Sequence, residues 1–163
     1  MRGRSGTAGP HRERRKLRQL GTRCPVTKLS RLFPVIYSEK LEETKDFYCR
    51  LLGFQVEFDS DWFVNLAGGA NSELEMGIQR YDHELIPDAF RAIAKGVSLA
   101  LEVEDIDAIY SKFHDRVDLV VPIADEEYGQ RHFMCVDPNG VLVDVGMPIE
   151  PSDAFKAEYL DSE

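Results

Sequence analysis

Four side chains, Glu75, Glu102, Asp144 and His132, gain a shared meaning once strand alternation is applied to the segments that hold them. In SELEMGI the apolar partners Leu74, Met76 and Ile78 claim one face, which turns Glu73, Glu75 and Gly77 to the other. VSLALEV sets Val97, Leu99, Leu101 and Val103 against Ser98, Ala100 and Glu102, and VLVDVGM sets Val141, Val143 and Val145 against Leu142, Asp144 and Gly146. In QRHFMCV, Phe133 and Cys135 take the apolar side and leave His132 with Met134. A face of this kind attracts a cationic ligand, and it holds a divalent ion loosely unless a third donor such as His132 joins. Crowding and burial could also raise one carboxyl toward the range of a general base. The plain alternative is that the carboxylates are solvated and that His132 serves as a hydrogen-bonding wall residue. Phe33, Trp62, Phe63 and Tyr128 supply rings for a flat ligand, Phe63 and Asn65 facing the same way as His132 and Met134.

The elements that must carry these residues occur twice in the same order. LFPVIY at 32–37 reads as a strand. A helix follows over 39–52, with Leu41, Phe47, Tyr48, Leu51 and Leu52 on one stripe and Gly53 at its end. Strands at 54–59, 62–67 and 72–78 complete the first unit, separated by Asp59-Ser60-Asp61 and Gly68-Gly69-Ala70-Asn71. A linker over 79–95 contains Pro87 and a short helix predicted at 88–94. The order then restarts with a strand at 97–103, and Asp105 caps a helix over 106–116 striped by Ile106, Ile109, Tyr110 and Phe113. Strands at 118–121, 130–136 and 141–147 follow, the last two joined by the turn Asp137-Pro138-Asn139-Gly140. A shift of 65 residues lays Leu41 on Ile106 and Tyr48 on Phe113, and a shift of 69 lays Glu75 on Asp144. Two βαβββ modules, 31–78 and 96–147, are implied.

Composition bounds the rest. The chain has 163 residues, 43% hydrophobic and 30% charged, enough to bury a core without disulfide or metal staples. Cys24, Cys49 and Cys135 form no close pair and suggest neither a disulfide framework nor a thiolate zinc cluster. No apolar run approaches a membrane span or a secretory signal, so a cytoplasmic protein with no membrane partner is expected. Residues 1–27 hold eight Lys/Arg against one Glu, whereas residues 28–163 hold twelve against twenty-eight Asp/Glu. The first 27 residues are expected to be a disordered basic extension, either an upstream-start artefact with Val26 as initiator or a basic arm for anionic partners. The acidic body at 28–149 repels phosphate backbones, so nucleic acid is not expected as its partner, and the acidic segment at 150–163 is expected to pack Phe155 and Tyr159 back on it as a short helix. No G-x-S-x-G elbow, phosphate loop or dinucleotide fingerprint is present.

FYCRLLGF at 47–54, VEDIDAIY at 103–110 and YGQRHFMCVDPNGVLVDVG at 128–146 together resemble the vicinal oxygen chelate superfamily, which groups glyoxalase I, extradiol dioxygenases and bleomycin-resistance-type binding proteins. The resemblance implies an α+β fold in which two paired βαβββ modules curl mixed sheets around a concave cavity, with two chains often contributing, hence a homodimer. Its metal-ligand positions, carried over by spacing, fall on Phe33, Glu75, Ser98 and Asp144. Phenyl offers no lone pair and a neutral serine hydroxyl replaces imidazole poorly, so the His, His, Glu set that holds catalytic iron is absent. The resulting expectation is a protein without cofactor that binds a small, cationic or flat aromatic molecule, such as an antibiotic or toxic metabolite. Its ligand-binding residues are Phe33, Trp62, Phe63, Glu75, Ser98, Glu102, Tyr128, His132 and Asp144, with no catalytic residue assigned. The alternative is a divergent lyase, isomerase or dioxygenase with a divalent metal held by Glu75, His132 and Asp144.

Overall fold

The computed structural model describes residues 30–69 and 73–160, and its main compact unit begins at Leu32. The basic extension expected at 1–27 and Cys24 lie outside the described residues. The first module runs β1 (Val35–Ser38), α1 (Leu41–Leu52), β2 (Gln55–Asp59), β3 (Phe63–Gly68) and β4 (Leu74–Arg80). The second runs β5 (Ser98–Glu102), α2 (Ile106–Phe113), β6 (Asp118–Glu126), β7 (Gln130–Val136) and β8 (Leu142–Pro148). Each module forms a four-stranded mixed sheet, ordered β1-β4-β3-β2 and β5-β8-β7-β6, with the outer pairs β1/β4 and β5/β8 parallel. The fold is α+β with paired βαβββ modules.

Local chemistry explains the helices. Gly53 closes α1 at φ 73°, a left-handed conformation that costs glycine nothing, and its N–H returns to the Cys49 carbonyl at 3.1 Å. Asp105 caps α2 as expected, its Oδ1 accepting from the Ala108 N–H at 3.0 Å. The anticipated stripes are buried: Tyr48 and Leu51 on α1 and Ile106 and Phe113 on α2 enter one core with Val64, Leu66, Ile78, Phe133, Val143 and Val145. Each fully buried large side chain contributes about 1.5–3 kcal/mol.

A polar seam also joins the modules. Asp137, in the β7–β8 turn, accepts through Oδ1 from the Asn139 and Val141 N–H groups (2.8 and 2.9 Å) and through Oδ2 from the Tyr48 hydroxyl (3.2 Å). Asn139 donates to Thr44 Oγ1 at 2.8 Å and accepts from Ser38 Oγ and the Glu39 N–H. The hairpin of the second module is thereby fastened to the start of α1 in the first.

Several expectations need adjustment. β6 does not stop at residue 121 but continues to Glu126 through Pro122, because it is an edge strand whose register shifts between Val121 and Ala124. Proline, which lacks an N–H, is tolerated at such an edge or bulge. The helix expected at 88–94 is only a 3₁₀ turn, Asp88–Phe90, with no buried residue to stabilise a longer one. Val97 and Leu74 sit at strand ends and remain 45% and 51% exposed, although their parity partners are packed. The C-terminal segment forms a short helix, Asp153–Phe155, followed by a π-helical turn, Lys156–Leu160. No helix among the described residues is long and apolar enough to cross a membrane.

Candidate functional site

Alternation puts the helices on one side of each sheet and leaves the other side for the site. On the second sheet, His132 pairs in register with Gly146 and Asp144 with Met134, so the imidazole and the carboxylate are diagonal neighbours on the helix-free face. His132 is only 4% exposed. Its Nδ1–H donates to Asp144 Oδ1 at 2.8 Å, and its Nε2 lies 3.4 Å from Glu126 Oε1. Both ring nitrogens thus face a carboxylate. The Gln130 side chain lies across Gly146, in the space a Cβ would take, and accepts from the Tyr128 hydroxyl at 3.1 Å.

Glu126 was not anticipated from the sequence. The signal lay in the turn: once Tyr128-Gly129 closes the β6–β7 hairpin, Glu126 pairs with Gln130 and shares the face of His132. A strand that ends at residue 121 leaves it out.

The first sheet carries a different surface. Glu75 is half-buried on β4 opposite Ala67, and Phe33 is half-buried ahead of β1. Gly77 lies between them and Phe63; a Cβ there would stand 3.0 Å from the Phe63 ring and 3.1 Å from Val35. Phe63 neighbours Phe58 and Trp62 at ring-centroid distances of 6.4 and 5.7 Å. Trp62 turns to stack on His83 at 4.3 Å and 15°.

The nine residues singled out from the sequence therefore divide. His132 and Asp144 are in contact, with Glu102 exposed beside them opposite Gly146. Ser98 pairs with Leu142, and Ala100 is the residue beside Asp144, so Ser98 sits one pair removed, in a cleft lined by Val97, Gly140 and Leu142. Phe33, Phe63 and Glu75 belong to the first sheet, and Trp62 is engaged with His83. Tyr128 lies in the β6–β7 turn, in a cleft shared with Phe155 and Tyr159. Its hydroxyl is pushed above the ordinary phenol value by desolvation and by the charges of Glu126 and Asp144, a sign of negative potential at this end of the sheet. Cys135 is fully buried on the helix side and its thiol is raised to about 11, chiefly by burial, which leaves it unreactive as a nucleophile.

The donor set does not assemble a metal centre. Among the described residues no group of three or more His, Cys, Asp or Glu side chains is arranged to hold a metal ion. Glu75 stands on one sheet and Asp144 on the other, and Asp144 is turned onto the imidazole that would have to ligate beside it. Neither Glu75 nor Asp144 lines the clefts formed around Phe47 and Phe113, around Ser98 and Leu142, around Leu41 and Asp61, or around Tyr128 and Phe155. On the helix-free face of the second sheet Ser98, Ala100 and Glu102 are exposed, and Met134 and Asp144 are half-buried.

Comparison with known proteins places this geometry. The model of the glyoxalase-like domain matches residues 32–150. No curated protein matches the chain. Among solved structures, a glyoxalase/bleomycin resistance protein/dioxygenase from Nocardioides superposes with a TM-score of 0.61 at 18% identity, covering 77% of this chain and 87% of that one. A glyoxalase/bleomycin resistance protein/dioxygenase family enzyme from Burkholderia phytofirmans gives 0.61 at 17% identity, covering 72% and 97%. A protein of unknown function from Agrobacterium tumefaciens gives 0.61 at 23% identity, covering 76% and 97%. These structural likenesses speak for the fold alone. With two βαβββ modules and a domain match spanning most of its length, the chain belongs to the glyoxalase-like family of the vicinal oxygen chelate superfamily.

Proposed function

We propose that this protein binds a small molecule on the helix-free faces of its sheets without a metal ion, and that a second copy of the chain closes the site. The observation that carries the reading is the wall built around His132, where Asp144 and Glu126 place acceptor oxygens on the two ring nitrogens. Such a wall suits a ligand that brings hydrogen-bond donors or positive charge, while Phe33 and Phe63 offer apolar carbon for the rest of it. The homodimer rests on the open faces and on the edge strands, where Val56, Phe58 and Val120 are 44%, 52% and 57% exposed. Sequestration of an antibiotic or toxic metabolite is the activity that such a site serves best.

A metal-free enzyme is the second reading. It is favoured by the 2.8 Å Asp144–His132 contact, since a carboxylate on one imidazole nitrogen orients the other for proton transfer. Against it stands the near-complete burial of His132.

Two measurements test the proposal. The full chain is offered iron, zinc, nickel and manganese, desalted and assayed for metal per chain, and negligible retention is expected. Near-stoichiometric retention of one metal overturns the metal-free reading. The emission of Trp62, the single tryptophan, is then followed against cationic and flat aromatic drugs. Asp144→Asn should weaken the response; its persistence unchanged would remove Asp144 from the site.

A further inference from the structure

We propose that the cleft between the β6–β7 turn and the C-terminal helical segment binds an organic ammonium cation, distinct from the ligand of the sheet faces. The cleft has a volume of about 430 Å³ and is lined by Glu126, Glu127, Tyr128, Phe155, Glu158 and Tyr159. Three acidic and three aromatic residues line it, and no lysine or arginine contributes to the lining. Two basic residues neighbouring these segments in sequence have acidic partners outside the lining: Lys156 pairs with Glu150, and Arg131 with Asp107 and Asp125.

The walls are held in place. The Ser152 N–H donates to the Glu127 carbonyl at 2.9 Å and the Ile149 N–H to the Gly129 carbonyl at 3.0 Å, tying the C-terminal segment to the turn. Gly129, at φ 99°, lies so close to Pro151 that a Cβ would stand 2.7 Å from the proline ring. Ser152 caps the short helix by accepting from the Phe155 N–H at 3.1 Å. The Phe155 and Tyr159 rings then lie 4.8 Å apart at 34°, and the Tyr128 ring is oriented by its bond to Gln130. A site so fixed loses little entropy on binding.

The ligand class follows from the lining. A metal ion needs converging oxygen donors, and no such group exists among the described residues. A neutral aromatic ligand would desolvate three carboxylates without compensation. An alkylated ammonium satisfies both halves of the surface, its charge met by carboxylates and its alkyl groups by ring faces. Tyr159 is 61% exposed, a large aromatic surface for which packing supplies no reason. Glu126 is the one residue common to this cleft and the His132 wall.

The test is a ligand-observed NMR titration of the full chain with choline and, separately, with its neutral carbon isostere 3,3-dimethyl-1-butanol. Choline is expected to bind saturably and the isostere not to bind. Tyr159→Ala and Glu158→Gln, both at exposed positions, should each weaken choline binding by about fivefold or more while circular dichroism stays unchanged. No choline binding, equal binding of the isostere, or unchanged affinity in both variants overturns the proposal. Loss of choline binding in Glu75→Gln rather than in Tyr159→Ala also overturns it, by moving the cation to the sheet faces. A silent Trp62 titration would sink the sheet-face reading and leave this one standing.

Discussion

Replacing Tyr48 by Phe should produce a stability loss that vanishes and then reverses in alkali. Tyr48 is fully buried, and its hydroxyl donates to Asp137 Oδ2 at 3.2 Å. Removing a hydrogen bond to a carboxylate costs about 1.5–3 kcal/mol, and the long separation places this one near the lower end. Burial, followed by the charge of Asp137 and the hydrogen bond itself, raises the Tyr48 phenol well above its ordinary value. A raised value means that the contribution is complete below the unfolded value of about 10 and is lost as the pH climbs toward the folded one. Above pH ~10 the unfolded chain ionises at this position while the folded chain does not. Stability therefore falls by about 1.4 kcal/mol per pH unit through this group alone. The Phe variant has no such slope. Its deficit of about 1.5 kcal/mol at pH 8 should disappear near pH ~11 and invert above it. Lysines and tyrosines that do not touch Tyr48 titrate in both proteins and cancel in the difference. Urea unfolding followed by far-UV circular dichroism at pH 8, 10 and 11 reads the effect. A deficit of the same size at all three pH values would refute the reasoning, because the hydroxyl would then not be held protonated against a buried carboxylate.

Two further perturbations address the sheet faces. Gly77→Val brings a branched side chain to within 3.0–3.1 Å of Phe63 and Val35, so it should destabilise the fold by about 1–3 kcal/mol and shift Trp62 emission as Phe63 is displaced. An unaltered emission spectrum and urea midpoint would show that the face has room the geometry denies. Phe58→Lys places a charge on an edge strand that offers an exposed ring, and sedimentation equilibrium should show a dimer becoming a monomer with unchanged circular dichroism. A wild-type monomer at all concentrations would remove the second copy from the proposed site.

Much of the architecture was legible because it follows local rules. The stripe Leu41, Tyr48 and Leu51 and its counterpart Ile106, Ile109 and Phe113 identify the helices, and Val141, Val143 and Val145 identify the packed face of β8. His132 and Asp144 could be assigned to one face by parity alone, and they are in contact. The misreadings share a cause. The apolar run DLVV marks a strand only to residue 121, because the sequence does not say that β6 is an edge strand that continues through a register shift to Glu126. Glu126 was lost with the end of β6.

The sequence by itself determined the order of elements, their apolar faces and the absence of a His-rich ligand set, since these depend on residue type and periodicity along one strand or helix. Only the tertiary structure decided which polar groups meet. His132 between Asp144 and Glu126, Tyr48 on Asp137, and Tyr128 with Phe155 and Tyr159 are pairings across strands, modules and the chain end. Their distances are set by register and packing, which are properties of the assembled sheets; spacing along the chain assigns a residue to a face and does not choose its partner there.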